Sequence, residues 1–325
     1  MIAAGALVLL AAALAVLQGM FMKHKASIDL YLENSTPVCR IPDLDRGFIP
    51  QGLSYWPDTD SILITGYMGQ GGSSPIYIVD RSSGLARKIL MEKPDGKPFR
   101  GHAGGISICG GRVYIAGSTE GCMYALDLEA LLSAEDGSTL RAAAKLGLAD
   151  GEDKIRVSFT SVDRDVLFAG EFRKAPIFLT QPSHAVRTPD GTQKAYLFGA
   201  VPDAAGRAEP FCVYSIPDNV QGACFDDGYL YLSQTDGLFS ARILCYALDE
   251  LQPAGARRVL GKEVPLYLLT EGSARKITRV PPMSEEILVV DGRLYILFES
   301  ASNRYRIGRK LGLDQVWSTP VSFFR

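Results

Sequence analysis

Five polar side chains suit one task, though they are far apart in the chain: Glu171, Glu285 and Glu299, with the amides of Gln51 and Gln221. A hard cation such as Ca2+ takes about six to eight oxygens from carboxylates, amides and carbonyls. Glu285 and the adjacent Glu286 are the first candidates for its ligands. The same acids would equally serve as ion-pair partners for Arg173 and Arg304. His102, in the loop "RGHAGG" (100–105), is the candidate general base, because an imidazole titrates near neutrality. Its alternative role is to hydrogen-bond backbone. The chain has three histidines, and the other two, His24 and His184, lie far from His102 in sequence. A zinc site built from three histidines of one pocket is therefore implausible.

Other motifs do not stand up chemically. "YMGQGGSSP" (67–75) is glycine-rich but lacks the lysine and the following helix of a phosphate loop. "GLSYW" (52–56) lacks the strand-to-helix turn of a nucleophile elbow. No Ser-His-Asp set stands out.

Bringing those residues together requires a repeating scaffold, and the chain has one. Segments beginning near Gln51, Gly104, Val157, Gln221 and Glu285 each show an apolar strand, a tight turn and a second strand. With Leu53, Ile106, Phe159, Ala223 and Ile287 taken as equivalent, the spacings are 53, 53, 64 and 64 residues. Gly110-Gly111, Asp227-Gly228 and Asp291-Gly292 suit two-residue hairpins, whose turn positions both need positive φ. A third strand follows in "PIYIVDRSSG" (75–84), "CMYALDLEAL" (122–131) and "LCYALDELQP" (244–253). Residues 85–91 and 264–269 are expected as fourth strands of the first and fourth units. Antiparallel four-stranded units at spacings above 40 residues predict an all-β fold, a β-propeller. Five blades are clear, and the irregular stretch 172–218 leaves room for a sixth. Segment 27–48 is expected to supply a strand that closes the ring. A β-sandwich is the alternative, but sandwiches do not usually repeat their turns in this way.

In such a ring the innermost strand of each blade lines the channel, and its start shares a face with the end of the antiparallel second strand. One mouth should therefore gather Gln51, Gln221 and Glu285 with Tyr67, Glu171 and Glu299. Arg100, His102, Arg173 and Arg304 would arrive on adjoining loops. A concave mouth with convergent polar groups is the default binding site.

The pattern of an apolar strand, D/G-G-x-L-Y-I and a third strand ending "YALD" resembles the broad propeller superfamily that includes gluconolactonase, strictosidine-synthase-like and paraoxonase-like families. It covers about residues 45–325. The resemblance implies a metal ion in the channel, held by acidic and amide side chains near the starts of the innermost strands. Gln51, Gln221, Glu285 and Glu286 fall at such places. The glutamate-glycine-proline opening of the gluconolactonases is absent.

The remaining features concern location. Residues 2–22 carry no charge and precede Lys23-His24-Lys25. That length spans a bilayer as a helix, so residues 1–25 are expected to be a membrane anchor and 26–325 the propeller, on the extracytoplasmic side. The net charge of −2, with mixed signs, argues against a nucleic-acid partner. Six cysteines, without a C-x-x-C pair, read mostly as small core residues. The expected function is binding of a small molecule or protein partner at the mouth. The alternative is a Ca2+-dependent hydrolase or lactonase working in the channel.

Overall fold

A computed structural model describes residues 24–151, 153–202, 208–235, 240–305 and 312–325. The apolar span 2–22 lies outside the described residues. Among those described, no helix is long and apolar enough to cross a membrane.

Among the described residues, five sheets, each antiparallel through four strands, form a five-bladed propeller. From the channel outward, the first blade is Phe48–Trp56, Ser61–Met68, Pro75–Asp80 and Ala86–Glu92. The second is Ala103–Cys109, Arg112–Gly117, Cys122–Asp127 and Ala144–Leu146. The third is Val157–Asp163, Val166–Glu171, Ala195–Pro202 and Ala208–Ile216. The fourth is Val220–Asp226, Tyr229–Thr235, Ala241–Ala247 and Lys276–Val280. The fifth is Ser284–Val290, Arg293–Phe298, Gln315–Pro320 and Thr36–Arg40.

The last strand named closes the ring as expected. Thr36–Arg40 pairs antiparallel with Gln315–Pro320, Thr36 opposite Ser318 and Arg40 opposite Gln315. This makes an N-terminal segment the outermost strand of the C-terminal blade and so ties the two ends of the propeller together. The core lies between blades, where β-branched and aromatic side chains interdigitate; one such layer packs Leu63, Ile76 and Ile89 against Ile106, Val113 and Tyr124.

The hairpin turns form as their residues dictate. Gly110 and Gly111, Asp227 and Gly228, and Asp291 and Gly292 all have positive φ. Two expectations are corrected. Stretch 172–218 holds no sixth blade; Ala195–Pro202 and Ala208–Ile216 complete the third. The apolar run 264–269 does not close the fourth blade either. Lys262–Leu268 crosses over and adds parallel to Ala208–Ile216 of the third, so Lys276–Val280 completes the fourth. Local alternation cannot distinguish two outer edges that accept the same strand.

The third blade also differs in register. Counting back from its Asp163–Val166 hairpin, Thr160 rather than Phe159 matches Leu53, Ile106, Ala223 and Ile287. Phe159 turns into the blade beneath Gly170, where a Cβ would lie 2.0 Å from its ring.

Candidate functional site

Every innermost strand carries a β-bulge at the same level. The register slips between Pro50 and Gly52, Ala103 and Ile106, Val157 and Phe159, Val220 and Gly222, and Ser284 and Ile287. A bulge adds one residue and re-aims side chains. Counted from the hairpins, the upper residue at this level is Gln51, Gly104, Ser158, Gln221 or Glu285. The lower one is Gly52, Gly105, Phe159, Gly222 or Glu286. The upper position in the third blade is thus Ser158; the expected Val157 is buried in the core between blades.

The lower ring is narrow because three of its members lack a Cβ. A Cβ on Gly52 would come within 2.9 Å of the Gly105 Cα, one on Gly105 within 2.5 Å of the Thr160 nitrogen, and one on Gly222 within 2.7 Å of the Glu286 Cα. The Glu286 side chain fills the space these glycines leave. Its Oε1 accepts a hydrogen bond from the Ala223 amide at 3.2 Å.

Above this collar lies the mouth. Gln51 Nε2 donates to Glu299 Oε2 at 3.0 Å and to the Pro50 carbonyl at 2.8 Å. Gln221 Nε2 donates to Glu285 Oε1 at 3.3 Å. Glu285 and Glu299 lie close enough to act on each other's proton affinity, and Tyr305 lies close enough to favour the ionised Glu299. Such a carboxyl pair is most stable with one shared proton. Burial lifts Glu299 to about 7, held from rising further by Tyr305, Glu285 and Gln51. Burial and the neighbouring Glu299 push Glu285 well above the usual carboxylate range. The rings of Tyr67 and His102 stack at 3.8 Å and 14°. Burial raises the Tyr67 hydroxyl, and Tyr67 lies near enough to both carboxyls for their charge to raise it further. Arg304 Nη1 donates to the Tyr67 hydroxyl at 2.6 Å. Burial, then the Arg304 charge, holds His102 below the ordinary histidine range. His102 is therefore neutral at pH 7, a form that can accept a proton.

Of the residues expected at the mouth, the fold brings together Gln51, Tyr67, His102, Gln221, Glu285, Glu299 and Arg304. Glu171 is taken up elsewhere. It is fully buried and accepts from the Arg156 and Tyr196 amides at 3.0 and 3.1 Å, and it meets His184 Nδ1 at 2.8 Å. Arg173 pairs with Asp218, not with a mouth glutamate. Arg100 is exposed on the loop before the second blade. Glu286, paired with Glu285 in the expected ligand set, belongs to the lower ring. Sequence reasoning missed Tyr305 and Ser158. A signal for the collar was present in the doublets QG, GG and QG ahead of three apolar runs, with Glu285-Glu286 in the same place.

The expected Ca2+ set does not fit these side chains as they stand. Gln51 and Gln221 present N–H donors to the carboxyls, and Glu285 and Glu299 act on each other's proton affinity. Two carboxyls fall short of the roughly six to eight oxygens the ion requires. Among the described residues no group of three or more histidine, cysteine or acidic side chains is arranged to hold a metal.

No protein-family model matches the chain, and no curated protein matches it. Solved structures with a similar fold exist. A PQQ-bound aldose sugar dehydrogenase from Streptomyces coelicolor is 16% identical at a TM-score of 0.46, over 87% of this chain and 96% of that one. A structure described as an oxidoreductase (glucose dehydrogenase) from Thermus thermophilus is 14% identical at 0.44, over 87% and 98%. A nidogen/laminin complex contains a chain 10% identical at 0.44, over 78% and 73%.

Proposed function

We propose that the propeller binds a small polyhydroxylated ligand at the channel mouth. One observation carries this reading: Gln51, Gln221, Glu285 and Glu299, from three blades, form one polar floor beside the exposed Arg304 and the Tyr67–His102 stack. A floor of amides and a proton-sharing carboxyl pair offers donors and acceptors side by side, and hydroxyl groups need both. The reading includes the apolar segment 2–22 as a membrane anchor that holds the propeller on the extracytoplasmic side, where such ligands arrive from outside the cell.

The experiment is a calorimetric screen of monosaccharides and linear polyols against the full chain in detergent, repeated with Gln51→Ala and Gln221→Ala. Saturable binding by at least one compound, weakened more than tenfold in both variants, is the expected result. No binding by any of them, or equal binding by the variants, overturns the reading. Protease accessibility of the propeller on intact cells tests the orientation; full protection until lysis would reverse it.

One observation favours a second reading, a hydrolase without a resident metal. A carboxyl near 7 beside a partner that stays protonated is the arrangement general acid–base catalysis uses. On that reading Glu299→Gln abolishes turnover of a bound ligand while leaving its affinity within a few-fold. A variant that loses binding and turnover together would return Glu299 to a binding role.

A further inference from the structure

Beneath the glycine collar, the channel widens into a cavity of about 220 Å³ on the hairpin-turn side of the propeller. One water needs only about 10–15 Å³ measured in the same way, so several waters or a small organic molecule fit. All five innermost strands line it. Its deep end is Glu286, and its walls are Ile108, Val162 and Phe225, with the Ser107 hydroxyl donating to Thr160 Oγ1 at 3.0 Å. Among the described residues that line it, Glu286 is the sole carboxylic acid, and none is a lysine, arginine or histidine.

Glu286 is 1% exposed, and its Oε2 has no hydrogen-bond partner among the described residues, while Oε1 is engaged by the Ala223 amide. The Thr160 and Ile287 amides lie near enough to favour the ionised carboxyl slightly, but neither reaches Oε2 in hydrogen-bond geometry. A buried carboxyl oxygen left without a partner costs free energy comparable to a lost hydrogen bond. Native structures rarely carry such an atom without a reason. Glu286 lines the inner end of the cavity, whose wall mixes the edges of Ile108, Val162 and Phe225 with hydroxyl groups and strand backbone. A ligand that completes the site carries N–H donors and positive charge at one end and hydrocarbon behind it.

We propose that this cavity is a second binding site, separate from the mouth, that takes the ammonium end of a small alkylamine on the Glu286 carboxylate with its carbon chain against Ile108, Val162 and Phe225. Without ligand, burial pushes the Glu286 carboxyl well above the usual carboxylate range and so favours its protonated form. Binding an alkylammonium ion therefore ionises the carboxyl. The cation's N–H groups donate to the carboxylate, and the proton that Glu286 carried leaves to solvent. The other titratable groups facing Glu286 are Glu285, beside it on the same strand, and Cys224 on the fourth innermost strand; burial favours the neutral form of both as well. Tyr55 also lines the cavity, and its hydroxyl, raised by burial, is neutral at pH 7. None of the three supplies the missing charge.

The test is calorimetry of the full chain with n-hexylammonium, and with hexanoate and hexanol as controls, at pH 7.5 in two buffers of different ionisation heat. One hexylammonium ion binds per chain and releases close to one proton, while hexanoate does not bind. Glu286→Gln weakens binding more than tenfold and removes the proton release. Val162→Phe, which narrows the cavity without touching the carboxyl, also weakens binding and stands in should Glu286→Gln fail to fold. Arg304→Ala, at the mouth, leaves amine affinity within twofold. Absence of binding, equal binding of hexanoate, binding that persists in Val162→Phe, or loss of amine binding in Arg304→Ala would each overturn the proposal.

Discussion

Glu286 occupies the space that a side chain on Gly105 would need: a Cβ there would stand 2.8 Å from Glu286 Oε2. It would also stand 2.5 Å from the Thr160 nitrogen, on the next innermost strand. The channel is thus closed at one level by an acid fitted among glycines, which separates the mouth from the cavity below.

Gly105→Ala should therefore destabilise the fold by about 1–3 kcal/mol, the range of overpacking in a well-packed site. The Thr160 backbone cannot swing aside as a side chain can. Combining Gly105→Ala with Glu286→Ala should consequently recover less than half of the loss in urea unfolding. Full recovery would mean that the carboxylate alone sets the collar.

Stability should fall as pH rises from about 5 to 8. The unfolded glutamates titrate near 4.5, whereas Glu299 is lifted to about 7 and Glu285 and Glu286 are also raised well above the usual carboxylate range. Across that window the native chain holds more protons than the unfolded one, so their stabilising contribution is complete below the unfolded value and is lost as pH climbs through the folded values. His102 acts in the opposite sense, since its folded value is depressed, but it is one group against three. Glu299→Gln isolates the effect. Relative to the parent it should gain on the order of 1–3 kcal/mol between pH 5 and 8, at about 1.4 kcal/mol for each tenfold difference in proton affinity between the folded and unfolded chain. A difference that does not change with pH would show that Glu299 is not proton-loaded.

The mouth should also be visible by NMR. Arg304 lies over the Tyr67 ring, and Tyr67 stacks on His102. Arg304→Ala should raise the His102 titration midpoint yet leave it below the ordinary histidine value, because burial, the larger cause, remains. Tyr67→Ala should move it further, by opening the ring to water. An unchanged midpoint in both variants would separate His102 from the mouth.

All six cysteines are free and buried, and burial pushes Cys39 and Cys212 up to about 12. Such thiols are poor nucleophiles. The native protein should therefore take up no iodoacetamide within an hour at pH 8, while the denatured protein, without reductant, should take up six by mass spectrometry. Fewer than six would reveal a disulfide.

The repeat was legible in the residues because its signals are local. Glycine and aspartate doublets specify hairpins through their φ angles, and apolar alternation marks the strands that flank them. Ring closure through Thr36–Arg40 and the gathering of Gln51, Gln221, Glu285 and Glu299 follow from that periodicity, which marks five blades while leaving 172–218 open for a sixth. Three matters depended on tertiary structure. The strand Lys262–Leu268 joins the third blade because two outer edges compete for it, and only three-dimensional proximity decides between them. The third copy is offset by one residue, because an apolar Phe159 stands at the level held by Gly52, Gly105, Gly222 and Glu286 in the other blades, and Thr160 takes the place expected for Phe159. And Glu285 and Glu286, neighbours of one type in the chain, are divided between mouth and cavity, because a bulge lets two successive side chains face the same channel at different depths.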